Sequence, residues 1–157
     1  MKKTKTNIPE LRFPGFDGEW EEKTLGEYLS FKNGINADKD AYGKGVKFIN
    51  VLDVLSSKYI TYDRIVGLID IDDHTLNKYS VTFGDILFQR SSETRADVGY
   101  SNVYLDKVNV ATFGGFIIRG KMIKAYMPTF LNYELRIPKA RNQITSLSGG
   151  STRYNVG

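Results

Sequence analysis

SVTFGDILFQRSSETRADVG, Ser80 to Gly99, is the stretch on which the reading of the chain turns. Side chains of an extended segment alternate between faces, so Ile86 and Phe88 share one side with Arg90, while Leu87 shares the other with Gln89. Both faces begin apolar and end polar. The pattern predicts a buried strand that leaves the core at Phe88 and delivers Gln89, Arg90, Ser91, Ser92, Glu93, Thr94 and Arg95 to solvent from a rigid base. Such a tip presents hydrogen-bond donors to a ligand, although its polarity alone also describes an ordinary solvated loop.

Working outward, VKFINVLDV (Val46 to Val54) is apolar on both faces and reads as an interior strand. Tyr59 to Tyr62 and Ile65 to Ile71 give shorter strand candidates, and Asp72 or Asp73 caps a brief helix through Thr75, Leu76 and Tyr79. VGYSNVYL and VNVATFGGFIIRGKM supply further strands, with a turn at Gly114 and Gly115. Phe116 and Ile118 point one way there, Ile117 and Arg119 the other.

From Met127 to Leu147 the pattern turns helical. Pro128 suits a first turn, and Phe130, Tyr133 and Ile137 follow at spacings of three and four, as a core stripe. Pro138 breaks this helix, and a second carries Ala140, Ile144 and Leu147 on one stripe, ending at Gly149 and Gly150. SGGSTRYNVG then returns to extended form, with Ser148, Ser151, Thr152 and Arg153 exposed on a turn.

Nearer the start, Pro9, Pro14, Gly15 and Gly18 make an extended lead-in pinned by Leu11, Phe13, Phe16 and Trp20. Thr24 and Glu27 have capping-box spacing and predict a short helix over Leu25 to Phe31, with Leu25, Tyr28 and Leu29 inward. Lys32 to Gly45 is a polar loop. Its Asn33, Asn36, Lys39, Tyr42 and Lys44 suit contacts to phosphate or bases, or equally a plain connection. The glycines do not match a P-loop.

A chain of 157 residues supports one substantial core. No apolar run reaches membrane-spanning length, and the lysines at the start lack the apolar block of a secretory signal, so a cytoplasmic product is expected. Absence of cysteine removes disulfides and thiolate zinc sites. The net charge of +4 favours an anionic partner only where clustered, and Lys2 to Lys5, Lys39 to Lys47 and Arg136 to Arg141 are basic islands.

Signals for catalysis are lacking. His74, the single histidine, stands among Asp70, Asp72 and Asp73 without EF-hand or zinc spacing, which leaves helix capping as its role. Ser91 and Ser92 have no nucleophile elbow, and Glu21 and Glu22 are adjacent rather than separated as glycosidic chemistry requires. No catalytic or metal residue is assigned.

PELRFPGFDGEWEEKTLGE, GVKFINVLDV, FGDILFQR, GGFIIRG and the late GGSTR turn, taken as a set from Pro9 to Arg153, resemble the specificity (S) subunit of type I restriction-modification systems, in particular its first target recognition domain. The resemblance implies an α+β fold, a twisted and mostly antiparallel sheet with short helices and long DNA-facing loops. On this resemblance residues 1–157 are expected to be one recognition domain with a disordered tail at 1–7, without the spacer helix and the second recognition domain. It implies a non-catalytic partner of double-stranded DNA and of the methyltransferase and restriction subunits, reading one half of a bipartite target. S-adenosylmethionine is expected in the methyltransferase subunit and no cofactor in this chain.

Residue chemistry and loop placement then assign Gln89, Arg90, Ser91, Ser92, Thr94 and Arg95 as the central reading group, with Lys44, Lys47, Thr152 and Arg153 flanking. Lys and Arg supply affinity through phosphate, while Arg, Gln, Ser and Thr read base edges in the major groove. The competing reading is a protein interaction domain that docks methyltransferase subunits without its own grip on DNA.

Overall fold

A computed structural model describes residues 8, 11, 12, 14, 15 and 17–157. The expected tail at 1–7, with the Lys2 to Lys5 island, lies outside the described residues, as do the anchors Phe13 and Phe16. Leu11 and Trp20, expected to pin the lead-in, are exposed instead.

In chain order the elements are β1 (Leu29–Asn33), β2 (Tyr42–Ile49), α1 (Val51–Leu55), β3 (Leu68–Ile69), α2 (Asp73–Lys78), β4 (Ile86–Gln89), β5 (Ser91–Ser92), β6 (Ser101–Val103), β7 (Thr112–Phe113), β8 (Ile117–Met122), α3 (Pro128–Glu134), α4 (Pro138–Ser146) and β9 (Tyr154–Asn155). A four-stranded antiparallel sheet in the order β1-β8-β4-β6 forms the centre. A second sheet, β3-β2-β7, is antiparallel on one side of β2 and parallel on the other, and β5 with β9 makes a separate ribbon. The architecture is α+β, as expected.

Alternation along β4 explains why the central sheet is covered on both faces. Ile86 and Phe88 join Leu29, Val103, Ile118 and Leu135 in one core, while Leu87 joins Ile49, Tyr104, Phe113 and Ile117 in the other. Burying Ile86 and Leu87 in full is worth about 1.5–3 kcal/mol for each side chain. FGDIL has its own mechanics. Gly84 takes φ +91°, a conformation open to glycine, and Asp85, 1% exposed, turns inward to accept the N–H groups of Thr82 and Met122, both at 3.0 Å. The start of β4 is thereby tied to the end of β8.

Several expectations need correction. Thr24 and Glu27 do form the capping box, the Thr24 N–H donating to Glu27 Oε1 at 2.8 Å, but it closes only a 3-10 turn, Leu25–Glu27. From Leu29 onward the backbone pairs with β8 and is no longer free to wind. Those pairings also take Lys32 and Asn33 out of the expected loop. Val46 to Val54 is not one strand, because Asn50 and Asp53 form a second capping box, with the Asn50 N–H donating to Asp53 at 2.7 Å, and turn the chain into α1. Tyr59 to Tyr62 contributes a single bridge at Ile60, and only Leu68–Ile69 of the next candidate pairs.

Asp72 caps α2 as expected, accepting the Thr75 N–H at 2.6 Å. Pro128 and Pro138 open α3 and α4. The core stripe of α3 is not the expected one, since Phe130 and Tyr133 are 57% and 67% exposed while Leu131 and Leu135 pack on the sheet. Asn132 lies between those leucines and accepts the Ser101 hydroxyl at 3.2 Å, which fixes the inward face. On α4, Ile144 packs inward but Leu147 is exposed.

Candidate nucleic-acid interface

Strand β4 runs straight into the ribbon. Arg90 links the two, its N–H donating to Phe116 O at 2.7 Å and its C=O accepting the Val156 N–H at 3.1 Å. In the antiparallel ribbon Ser91 stands opposite Asn155 and Ser92 opposite Tyr154. The chain leaving Ser92 and the chain entering Tyr154 therefore emerge at the same end. This pairing brings Thr94 and Arg95 together with Thr152 and Arg153, which are far apart in sequence and all exposed.

Each side of that end is braced. Across the turn, Gly149 and Asn155 exchange two backbone bonds at 3.0 and 2.8 Å. Gly150 takes φ +123°, and a Cβ there would strike the Arg153 carbonyl, so glycine is required. On the other side the Thr94 hydroxyl donates to Asp97 at 2.5 Å and accepts the Asp97 N–H at 3.2 Å. Arg95 reaches across, with its guanidinium 5.8 Å from the Tyr154 ring centre and Nε donating to Ser148 Oγ at 3.4 Å. Glu93 and Asp97 are exposed beside these arginines, so the end is mixed in charge rather than purely basic.

The remaining predicted residues divide. Gln89 is 5% and Ser92 7% exposed, so neither is delivered to solvent as expected. Gln89 still belongs to β4 and donates to Ser91 O at 3.0 Å, and the Ser92 hydroxyl accepts the Thr94 N–H at 3.2 Å. The chain reaches solvent only from Glu93, because β5 is itself paired. Ser91 donates its hydroxyl to Asn155 Oδ1, and the Arg90 guanidinium donates to Gly115 O at 3.4 Å. Ser148, expected on the exposed turn, is buried beneath it.

Lys44 and Lys47 are engaged elsewhere. Lys44 pairs with Asp70 at 2.8 Å, and Lys47 donates to Ile65 O at 2.6 Å with its ammonium 5.9 Å from the Tyr62 ring centre. Those partners belong to the surroundings of β3, not to the ribbon.

Two arginines assigned no individual role above brace the segment that runs from β5 into β6. Arg141 Nη2 donates to Ala96 O at 2.8 Å and Val98 O at 2.7 Å, and Arg136 Nε donates to Ser101 O at 2.9 Å. Both guanidiniums lie against Tyr100, at 4.7 Å for Arg136 and 5.7 Å for Arg141. Burial holds the Arg141 guanidinium below its ordinary pKa. The Arg136 to Arg141 island was the only signal of this role, and it does not distinguish a bracing arginine from one that faces solvent.

Beside Arg90 an open cleft of about 460 Å³ is lined by Asn36, Tyr42, Phe48, Leu52, Gly115 and Phe116, among others. His74 is exposed on α2, and among the described residues no three potential metal ligands gather. No helix of the described residues is long and apolar enough to cross a membrane.

The fold is similar to that of solved S subunits of type I restriction-modification systems. The S subunit from M. genitalium aligns with 97% of this chain and 34% of its own, with a TM-score of 0.57 at 15% identity. The HsdS subunit from Thermoanaerobacter tengcongensis aligns with 86% of this chain and 32% of its own, with a TM-score of 0.57 at 16% identity. A structure concerned with complex assembly and conformational transition of the type I R-M system aligns with 79% of this chain and 29% of its own, at TM-score 0.54 and 20% identity. The chain spans about a third of the length of these structures. No protein-family model matches the chain, and no curated protein sequence matches it.

Proposed function

We propose that the chain is a non-catalytic target recognition domain of a type I restriction-modification system. It reads one half of a bipartite DNA sequence and directs the methyltransferase and restriction subunits of that cytoplasmic system. The observation that carries this reading is the ribbon end, where Thr94, Arg95, Thr152 and Arg153 converge on a scaffold with the S-subunit fold. Arginine supplies both phosphate affinity and bidentate contact to guanine, and threonine hydroxyls take either role, so these side chains suit a major-groove edge. S-adenosylmethionine belongs to the methyltransferase partner in this reading.

Selection from randomised duplexes, with the purified chain alone and with its methyltransferase partner, tests it. The expected result is enrichment of one short sequence, bound with an affinity that falls linearly in log–log form as salt rises. Binding indifferent to sequence in both arms overturns it.

A second reading has its own support. Ile123, Met127, Phe130 and Tyr133 are 59%, 69%, 57% and 67% exposed on and just before α3, an apolar surface suited to a protein partner. If the chain binds the methyltransferase subunit but no duplex, with or without that subunit, the interaction-domain reading replaces the first.

A further inference from the structure

We propose that the cleft beside Arg90 is a nucleobase subsite, a place for one unstacked base; this rests on the reading of the chain as a DNA binder. Its volume, about 460 Å³, falls in the range of small-ligand sites. Among the described residues that line it, none is charged. The cleft therefore suits the neutral, flat part of a nucleotide, not its phosphate.

Two aromatic residues among the lining, Tyr42 and Phe116, keep exposed surface. Tyr42 packs edge-on against Phe48, with ring centres 5.4 Å apart at 68°, and remains 41% exposed. Phe116 is 55% exposed at the turn between β7 and β8. Such rings hold a base by its π-face whatever its identity.

Identity would be read by Asn36. Its carboxamide lies so close to Gly115 that a Cβ on that glycine would collide with Asn36 Oδ1, so only glycine leaves the amide where it is. Among the described residues no hydrogen bond of the chain occupies this carboxamide, which leaves a donor and an acceptor side by side at the cleft wall. The pair can meet adenine at its N6 donor and N7 acceptor, and the Watson–Crick edges of an unstacked base offer it comparable donor–acceptor pairs. Arg90 donates to both Phe116 O and Gly115 O, making the cleft wall continuous with the strand that feeds the ribbon. The cleft lies at the Arg90 end of the ribbon, so the phosphate of a nucleotide whose base enters it would lie beside Arg90.

The test uses the full chain and four-nucleotide single strands, oligodeoxyadenylate against an abasic strand of equal length and charge, followed by fluorescence anisotropy. The adenine strand is expected to bind at least about tenfold more tightly, the scale of one base stacked on an aromatic ring. Phe116→Ala, at an exposed position, should abolish the preference. Asn36→Ala should lower the affinity for the adenine strand relative to the abasic one, and Gly115→Ala should do the same by displacing the amide. Equal affinity for adenine and abasic strands, or a preference that survives both Phe116→Ala and Asn36→Ala, overturns the proposal. Failure of the two readings is separable. A selected duplex that binds normally while single strands show no base preference removes the cleft alone. A cleft preference without any duplex binding removes target reading and leaves the subsite standing.

Discussion

Arg141 Nη2 donates to the carbonyl of Val98 at 2.7 Å and so ties helix α4 to the loop that leaves the ribbon. The same nitrogen reaches Ala96 O at 2.8 Å, and Gly99, with φ +70°, lets the loop close on Ile144 of the same helix. The loop bearing Thr94 and Arg95 is thus held by a helix some forty residues further along the chain.

Arg141→Met keeps the aliphatic stem but leaves both carbonyls unpaired. It is expected to cost about 2 kcal/mol in urea denaturation, because bonds to charged donors are among the stronger ones. Hydrogen exchange should accelerate between Thr94 and Gly99 more than in β4 or β8. Uniform acceleration across the central sheet would show that the arginine supports the whole fold and not the loop.

Arg153 and Arg95 should separate by role. Arg153→Ala is expected to weaken all duplexes alike and to reduce the salt dependence by about one unit of log–log slope, as loss of a phosphate contact does. Arg95 is oriented by Tyr154 and Ser148. Its replacement by Ala should cost about 1–3 kcal/mol on the selected sequence and relax one base position. Competition binding with single-base variants measures both.

Asp85→Ala removes the carboxylate that accepts from Thr82 and Met122 and lies 3.6 Å from Lys121. Two part-buried backbone donors lose their acceptor and Lys121, which keeps only its bond to Thr82 Oγ1, loses its counter-charge, so a loss of about 3–5 kcal/mol is expected. Asp85→Asn, which retains one acceptor, should fall between this variant and the parent in chemical denaturation.

Asp53 gives the chain a pH-dependent term. Burial raises its pKa above the ordinary carboxylate value and outweighs the bond from the Asn50 N–H, which acts in the opposite direction. A carboxyl with a raised folded-state pKa favours folding when protonated, and that contribution disappears as pH rises through the folded value. Asp53→Asn, neutral throughout, should therefore gain stability relative to the parent with rising pH and lose the advantage in acid. Denaturation curves at pH 4, 5.5 and 7 report the difference, and a pH-independent gap would contradict the assignment.

Legibility followed distance along the chain. Thr24 with Glu27, Asp72 with Thr75, and the prolines at 128 and 138 were readable because a cap or a first turn involves residues within three or four positions. The Asn50 and Asp53 box has the same character but was masked by the β-branched run around it. On α3 two apolar stripes were available, Phe130 with Tyr133 and Leu131 with Leu135, and helical periodicity does not choose between them. The choice was made by Asn132, which required Ser101 on β6 as its partner.

The amino-acid order alone determined the α+β character, the core alternation of Ile86, Leu87 and Phe88, and the local caps and turns, since those depend on steric and hydrogen-bonding preferences of near neighbours. Tertiary structure alone decided that Gln89 stays buried, that Arg95 and Arg153 share one end of a ribbon, and that Arg141 holds the loop between them and the helix. Each of these depends on pairing between segments from about ten to more than sixty residues apart. Polar side chains offer the same donors to solvent, to DNA or to a distant carbonyl, and only the packed chain fixes which partner they meet.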